Sequence, residues 1–134
     1  MSKVALRTAV LSLALIVGPI YAQTFALNES FNLNVGETRQ LIDAEFSITF
    51  VGVEYDRRCP IGVGCLWQGN AAAQFAVKVD GSSQSITLRT IGSDPFPGTI
   101  EVYGRTVSLL NLGPYPRWQM QTAPDAFVAT LFVS

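Results

Sequence analysis

The sequence contains two cysteines whose spacing suggests chemistry. Cys59 and Cys65 are the cysteines of the chain, and five residues separate them. Histidine is absent, which excludes Ser-His-Asp catalysis, Cys-His catalysis and imidazole metal sites. Two thiolates alone do not complete a tetrahedral zinc site. We therefore expect a disulfide bond rather than a reactive or metal-binding pair, provided that the chain enters an oxidising compartment.

Carboxylates offer the next kind of chemistry. Glu54 and Asp56 lie two residues apart on one predicted strand, so they share a face. Glycosidases place their two carboxylates on separate elements across a cleft, and a solvated pair is the simpler interpretation here. The ten acidic residues are scattered without an Asp-rich loop, and we predict no metal site and no cofactor. We assign no catalytic residue, although an envelope glycan hydrolase using Glu54 or Glu101 remains an alternative.

The segment 56–71 differs in composition from the rest of the chain, because it combines both cysteines with arginines, glycines, a proline and a tryptophan. Pro60 fixes φ within the ring that a disulfide would close. Asp56 is placed to accept hydrogen bonds from loop amides or to pair with Arg58. Trp67 either packs across the edge of the core or lies over an arginine as a cation–π pair.

This segment resembles a family of small exported bacterial all-β proteins with the pattern Asp-x-Arg-Cys-Pro-x-x-Val-x-Cys-x-Trp-x-Gly. The matching positions are Asp56, Arg58, Cys59, Pro60, Val63, Cys65, Trp67, Gly69 and Ala71. Arg57 departs from the family, which usually has serine there. Residues 107–112, followed by Pro114, Tyr115 and Pro116, resemble a second block of the family. The resemblance implies export, a disulfide and an all-β domain. The function of the family is uncharacterised, so the resemblance implies no catalytic residue.

The N-terminus predicts export. Lys3 and Arg7 precede the apolar run 9–17, and Gly18 with Pro19 ends that run. This is the layout of a cleaved signal peptide, and the run is shorter than the roughly 20 apolar residues of a membrane-spanning helix. We place the signal peptide at residues 1–22, with cleavage after Ala22 or, alternatively, after Ala26. We expect a periplasmic or secreted protein without a transmembrane anchor after cleavage.

The charge balance gives no indication of a polyanionic partner. Nine basic residues stand against ten acidic residues, for a formal net charge of −1. Binding to nucleic acid is dominated by neutralisation of phosphates with lysine and arginine. We therefore predict no nucleic-acid partner, and the sequence leaves the oligomeric state open.

Short strands are predicted throughout the rest of the chain. Apolar residues alternate in residues 46–55 and 75–79, Gly52 is placed to form a bulge, and Asp80-Gly81 predicts a hairpin. Residues 99–103 and 105–111 predict a second strand pair, and residues 127–133 a central strand. Residues 31–33 and 37–41 form a weaker predicted pair. We expect an antiparallel β-sandwich or small barrel of about seven strands in residues 31–134, after a flexible leader at 23–30.

Two candidate binding surfaces follow from these patterns. The first is residues 56–67, which we call the stapled loop; its candidate contact residues are Asp56, Arg57, Arg58, Ile61, Val63 and Trp67. The second contains Tyr115 and Trp118, as a stacking platform or as a loop that caps the sandwich. A purely structural role is the alternative for both. The sequence favours a non-enzymatic binding or accessory module of the cell envelope, whose partner is an unidentified envelope protein or glycan. The alternative is a protease inhibitor that uses the constrained loop 59–65.

Overall fold

Short strands make up most of the fold. The computed structural model describes residues 23–90 and 98–134, and the predicted signal peptide at 1–22 lies outside the described residues. The strands are β1 (Thr24–Phe25), β2 (Ser30–Asn34), β3 (Thr38–Leu41), β4 (Phe46–Asp56), β5 (Ala71–Val79), β6 (Ser82–Arg89), β7 (Thr99–Val102), β8 (Arg105–Gly113) and β9 (Val128–Val133). Pro124–Ala126 form a 3-10 turn. In these two ranges no helix is long and apolar enough to cross a membrane.

The strands form two packed sheets. The first has the order β1-β3-β4-β5-β6 and the second has the order β2-β9-β8-β7. Both sheets contribute fully buried side chains to one core, among them Leu33, Phe50, Phe75 and Leu131. The predicted all-β sandwich is confirmed; the described residues form nine strands rather than about seven, and their two sheets do not close into a barrel. The strand at 127–133 is also confirmed as central, because β9 lies between β2 and β8.

Two tight hairpins form, one at the predicted Asp80-Gly81 turn and one between the predicted strands 99–103 and 105–111, where Tyr103 belongs to the turn and not to the strand. Asp80 and Gly81, with φ of 46° and 90°, connect β5 to β6, and Tyr103 and Gly104, with φ of 51° and 76°, connect β7 to β8. Positive φ at both central residues is the requirement of a type I′ turn, whose twist matches that of the flanking strands.

The predicted pairing of residues 31–33 with 37–41 is wrong. β2 pairs with β9, whereas β3 pairs with β4 and, in parallel, with β1. The turn at 35–37 therefore carries the chain from one sheet to the other instead of closing a hairpin. Alternation shows which side chains of a strand face the core. Because both sheets face the same core, alternation does not show to which sheet a strand belongs.

The expected flexible leader at 23–30 also needs correction. Thr24 and Phe25 pair with Gln40 and Leu41, and Phe25 is buried in the core. Its ring stacks on Phe31 at a centroid distance of 4.3 Å. Burial and stacking of this ring stabilise β1 in addition to its backbone pairing with β3.

The longest strand, β4, leads to the site. Its predicted bulge is confirmed, because the register with β5 shifts between Phe50 and Gly52, and it shifts again between Val53 and Tyr55. The last residue of β4 pairs with the first residue of β5, and the last residue of β8 pairs with the first residue of β9. The two connections, residues 57–70 and 114–127, therefore leave the sheets at the same end of the sandwich, where they contact each other.

Candidate functional site

The base of the stapled loop continues the β4–β5 ladder. The Arg57 N–H donates to the Asn70 carbonyl at 2.8 Å, and the Cys59 N–H donates to the Gln68 carbonyl at 2.7 Å. Above these bonds, Cys59 and Cys65 form a disulfide with a Cα–Cα distance of 6.0 Å. The predicted disulfide is confirmed, and it is compatible with an oxidising, extracytoplasmic compartment.

Gly69 allows the two sides of the loop base to approach. Its φ is +67°, a region that side-chain-bearing residues rarely adopt. A Cβ at this position would overlap the Arg57 carbonyl oxygen. The glycine in the motif therefore serves close backbone contact rather than flexibility.

Arg58 is a buried charge whose guanidinium donates hydrogen bonds to a carboxylate and to two main-chain carbonyls. Its side chain is 6 % exposed and that of Asp56 is 15 % exposed. The Arg58 Nε donates to Asp56 Oδ1 at 2.8 Å, and Nη2 donates to Oδ2 at 2.7 Å. This is the bidentate geometry of a strong arginine–carboxylate pair, and it offsets the cost of burying the guanidinium. The predicted pairing of Asp56 with Arg58 is confirmed, and Arg58 lies beneath the surface that the loop presents.

The same guanidinium binds the segment after β8. We call residues 113–120 the proline segment; it begins with a cis Gly113–Pro114 peptide. The Arg58 Nη1 donates to the Leu112 carbonyl at 2.6 Å, and Nη2 donates to the Pro114 carbonyl at 3.0 Å. The guanidinium carbon also lies 4.7 Å from the centroid of the Tyr115 ring. One side chain thus joins segments that are more than fifty residues apart in the sequence.

A second contact between the stapled loop and the proline segment lies nearer the tip of the loop. The Ile61 N–H donates to the Pro116 carbonyl at 2.9 Å, and the Trp118 N–H donates to the Ile61 carbonyl at 3.0 Å. Ile61 and Arg117 thereby form a parallel β-bridge. The two surfaces that the sequence suggested separately are one surface, which we call the joint surface (residues 56–67 and 113–120).

Several large apolar side chains project from the joint surface. Ile61 is 51 % exposed, Trp67 59 % and Trp118 58 %, and Leu66 is fully exposed. Single exposed apolar residues are normal on proteins, whereas several on connected segments are typical of interaction sites. Tryptophan in particular is enriched among the residues that contribute most to binding energy.

The remaining predicted contact residues differ in their environments. Arg57 is exposed, and its guanidinium carbon lies 4.5 Å from the centroid of the Tyr55 ring. Val63 is half-buried, and its N–H donates to the Pro60 carbonyl within the disulfide ring at 3.2 Å. Trp67 is too exposed to plug the edge of the core. Of the predicted set, Arg57, Ile61 and Trp67 are the most accessible.

Pro116 and Trp118 contribute backbone contacts to the site that the sequence did not indicate. They hold Ile61 through main-chain atoms, and main-chain bonding outside regular strands leaves little trace in residue type. The proline–tyrosine–proline run marked the segment as irregular but gave no information about its partner.

Acidic residues do not gather into a catalytic or metal-binding group in the part of the chain that the structure describes. Glu54 lies on β4 and Glu101 on β7, in different sheets, and both are exposed. Within 23–90 and 98–134, no three histidine, cysteine or acidic side chains are placed to hold a metal ion.

Comparison of the chain with protein-family models, with curated proteins and with solved structures gives no match.

Proposed function

We propose that this protein is a non-enzymatic binding or accessory module of the cell envelope, periplasmic or secreted, which contacts an envelope protein or glycan through the joint surface. The observation that carries the proposal is the exposure of Ile61, Leu66, Trp67 and Trp118 on segments whose backbone is held from several sides. Exposed apolar side chains cost solubility, so a protein that presents several of them together usually uses them in contact.

The rigidity of the joint surface supports the proposal independently. The disulfide, the buried Arg58 and the bridge at Ile61 each restrict the same loop. Ordering a mobile loop on association costs affinity, and a loop that is already ordered avoids that cost. The signal-peptide pattern and the family resemblance support export, and the disulfide agrees with it.

Photo-cross-linking from single positions tests the proposal. A photoreactive side chain at position 61 is expected to give a specific adduct in the envelope of the producing cell. The matched control is position 42, because Ile42 and Ile61 are equally exposed, at 52 % and 51 %. The adduct should disappear when Trp118→Ala is combined with the probe at position 61. Equal adducts from positions 42 and 61, or an adduct that survives Trp118→Ala, would contradict the proposal.

The protease-inhibitor alternative receives less support from the geometry. An inhibitory loop offers its backbone to the protease, but both backbone groups of Ile61 are already bonded to Pro116 and Trp118. A protease would have to break that bridge before pairing with the loop.

A further inference from the structure

Strand β4 has an open backbone edge along half of its length. On one side, β5 follows β4 as far as Asp56. On the other side, β3 pairs only with residues 47–49, and Phe50 is bonded to the backbone of Gly36 and Glu37. Among the described residues, no strand or turn forms backbone hydrogen bonds with that edge of β4 at residues 51–56.

The open edge borders an apolar groove. The groove has a volume of about 330 Å³, and apolar residues predominate in its lining beside three polar ones: Val53, Tyr55, Asp56, Pro116, Met120, Gln121, Thr122, Pro124 and Phe127. This volume lies at the lower end of the range for ligand sites. Residues 124–126 lie close to β4 but form no backbone ladder with it. The edge is therefore flanked by side chains, while its main-chain groups form no backbone hydrogen bonds there with the residues that the structure describes.

We propose that this edge binds an extended segment of another polypeptide, which adds to the first sheet as a strand beside residues 51–56. Unpaired N–H and C=O groups spaced along a strand are complemented best by another extended main chain. Alternate side chains of the guest would enter the groove against Val53, Met120 and Phe127, so apolar residues are favoured there. The groove adjoins the joint surface and shares Asp56, Pro116 and Met120 with it. The inference does not depend on the proposed function, because it rests on the open edge of β4 and not on Ile61 or Trp118.

Two features favour a peptide over a second copy of this chain. The bulges at Phe50/Gly52 and Val53/Tyr55 bend and twist the edge, and such bulges prevent flat pairing between folded sheets. A short peptide can follow that twist. The edge also offers an apolar contact to such a peptide, because Val51 is exposed, whereas edge strand β6 exposes a run of serines and a glutamine.

Glu54 suggests the charge of the guest. Its side chain is exposed on the open half of β4 and takes part in no ion pair among the described residues. A guest whose outward-facing residues are basic would be attracted to this carboxylate, whereas an acidic guest would be repelled.

Binding of designed peptides to the purified, disulfide-bonded protein tests this inference. The probes are three acetylated and amidated octapeptides in which lysine alternates with valine, leucine or phenylalanine, each also made with every amide N-methylated. We expect at least one unmethylated peptide to bind with a Kd below about 1 mM, and N-methylation to weaken it at least about tenfold. Absence of binding by all three peptides, or equal binding of the N-methylated forms, would overturn the proposal.

Surface variants locate the binding. Met120→Asp places a charge in the groove wall and is expected to weaken binding at least about tenfold. Leu110→Asp, at an exposed position of β8, is the matched control and should bind normally. The joint-surface variant Ile61→Ala/Trp118→Ala should also bind normally, and loss of binding in either of these two would overturn the assignment. If the protein forms a concentration-dependent dimer that Met120→Asp abolishes, the β4 edge binds a second copy of this chain. That result would also refute the proposal of a peptide guest.

Discussion

Replacing Arg58 with methionine tests how the joint surface is held together. The Arg58 guanidinium donates two hydrogen bonds to Asp56 and one each to the carbonyls of Leu112 and Pro114. Methionine fills a similar space but donates none of these bonds. The Asp56 carboxylate would then remain largely buried without a cation, and removing one partner of a buried ion pair typically costs about 3–5 kcal/mol. We expect a loss of that size in the free energy of unfolding, which is a large part of the stability of a typical domain.

The neighbouring arginine supplies the control. Arg57 is exposed and contacts the Tyr55 ring, an arrangement worth about 0.5–1 kcal/mol at an exposed site. Arg57→Met should therefore cost no more than about 1 kcal/mol. The double variant Asp56→Asn/Arg58→Met should be more stable than Arg58→Met alone, because it removes the unpaired charge as well.

Urea unfolding under non-reducing conditions, followed by circular dichroism, measures these differences from the midpoint and slope of each transition. The slopes should be unchanged, so that the midpoints report stability. If Arg58→Met and Arg57→Met differ by less than about 1 kcal/mol, the Asp56–Arg58 pair behaves as a solvated surface pair and our account of the joint surface fails.

Further predictions concern the stapled loop itself. Gly69→Ala should destabilise the protein by at least about 2 kcal/mol, because a Cβ there would overlap the Arg57 carbonyl at a positive φ. Gly64→Ala, which has open space around the added Cβ, should be nearly neutral in the same urea titration, and equal effects would contradict the close-approach argument. Replacing Cys59 and Cys65 together by serine should cost roughly 2–2.5 kcal/mol from the closure entropy of a small ring. An unchanged melting temperature of the serine variant would show that the disulfide adds no net stability.

Local patterns were sufficient to predict the strands that carry most of the core. The alternation in β4 and β5 specifies which residues face inward, and Asp80-Gly81 specifies the turn and hence the register of β5 with β6. These features involve residues that are neighbours in the sequence, so a single sequence contains the information that they need.

Features that depend on distant partners could not be predicted. The alternation in β2 and β3 fitted a hairpin as well as it fitted two separate sheets, and β1 is too short to show any alternation. The pairing of Asp56 with Arg58 was predictable because the two residues are only two positions apart in the sequence. The hydrogen bonds from Arg58 to the carbonyls of Leu112 and Pro114 were not predictable. Backbone carbonyls are present at every position, and only the fold selects these two.

The two tight hairpins have a consequence for experiments. Asp80-Gly81 and Tyr103-Gly104 close the end of the sandwich where β4 and β8 begin, and the Arg105 guanidinium lies 5.7 Å from the ring of Phe46 there. The joint surface lies at the other end of the same strands. Exposed turns tolerate inserted residues better than other positions do. A dye, an affinity tag or a surface linkage placed at either turn would therefore orient the molecule with its joint surface facing away from the attachment point.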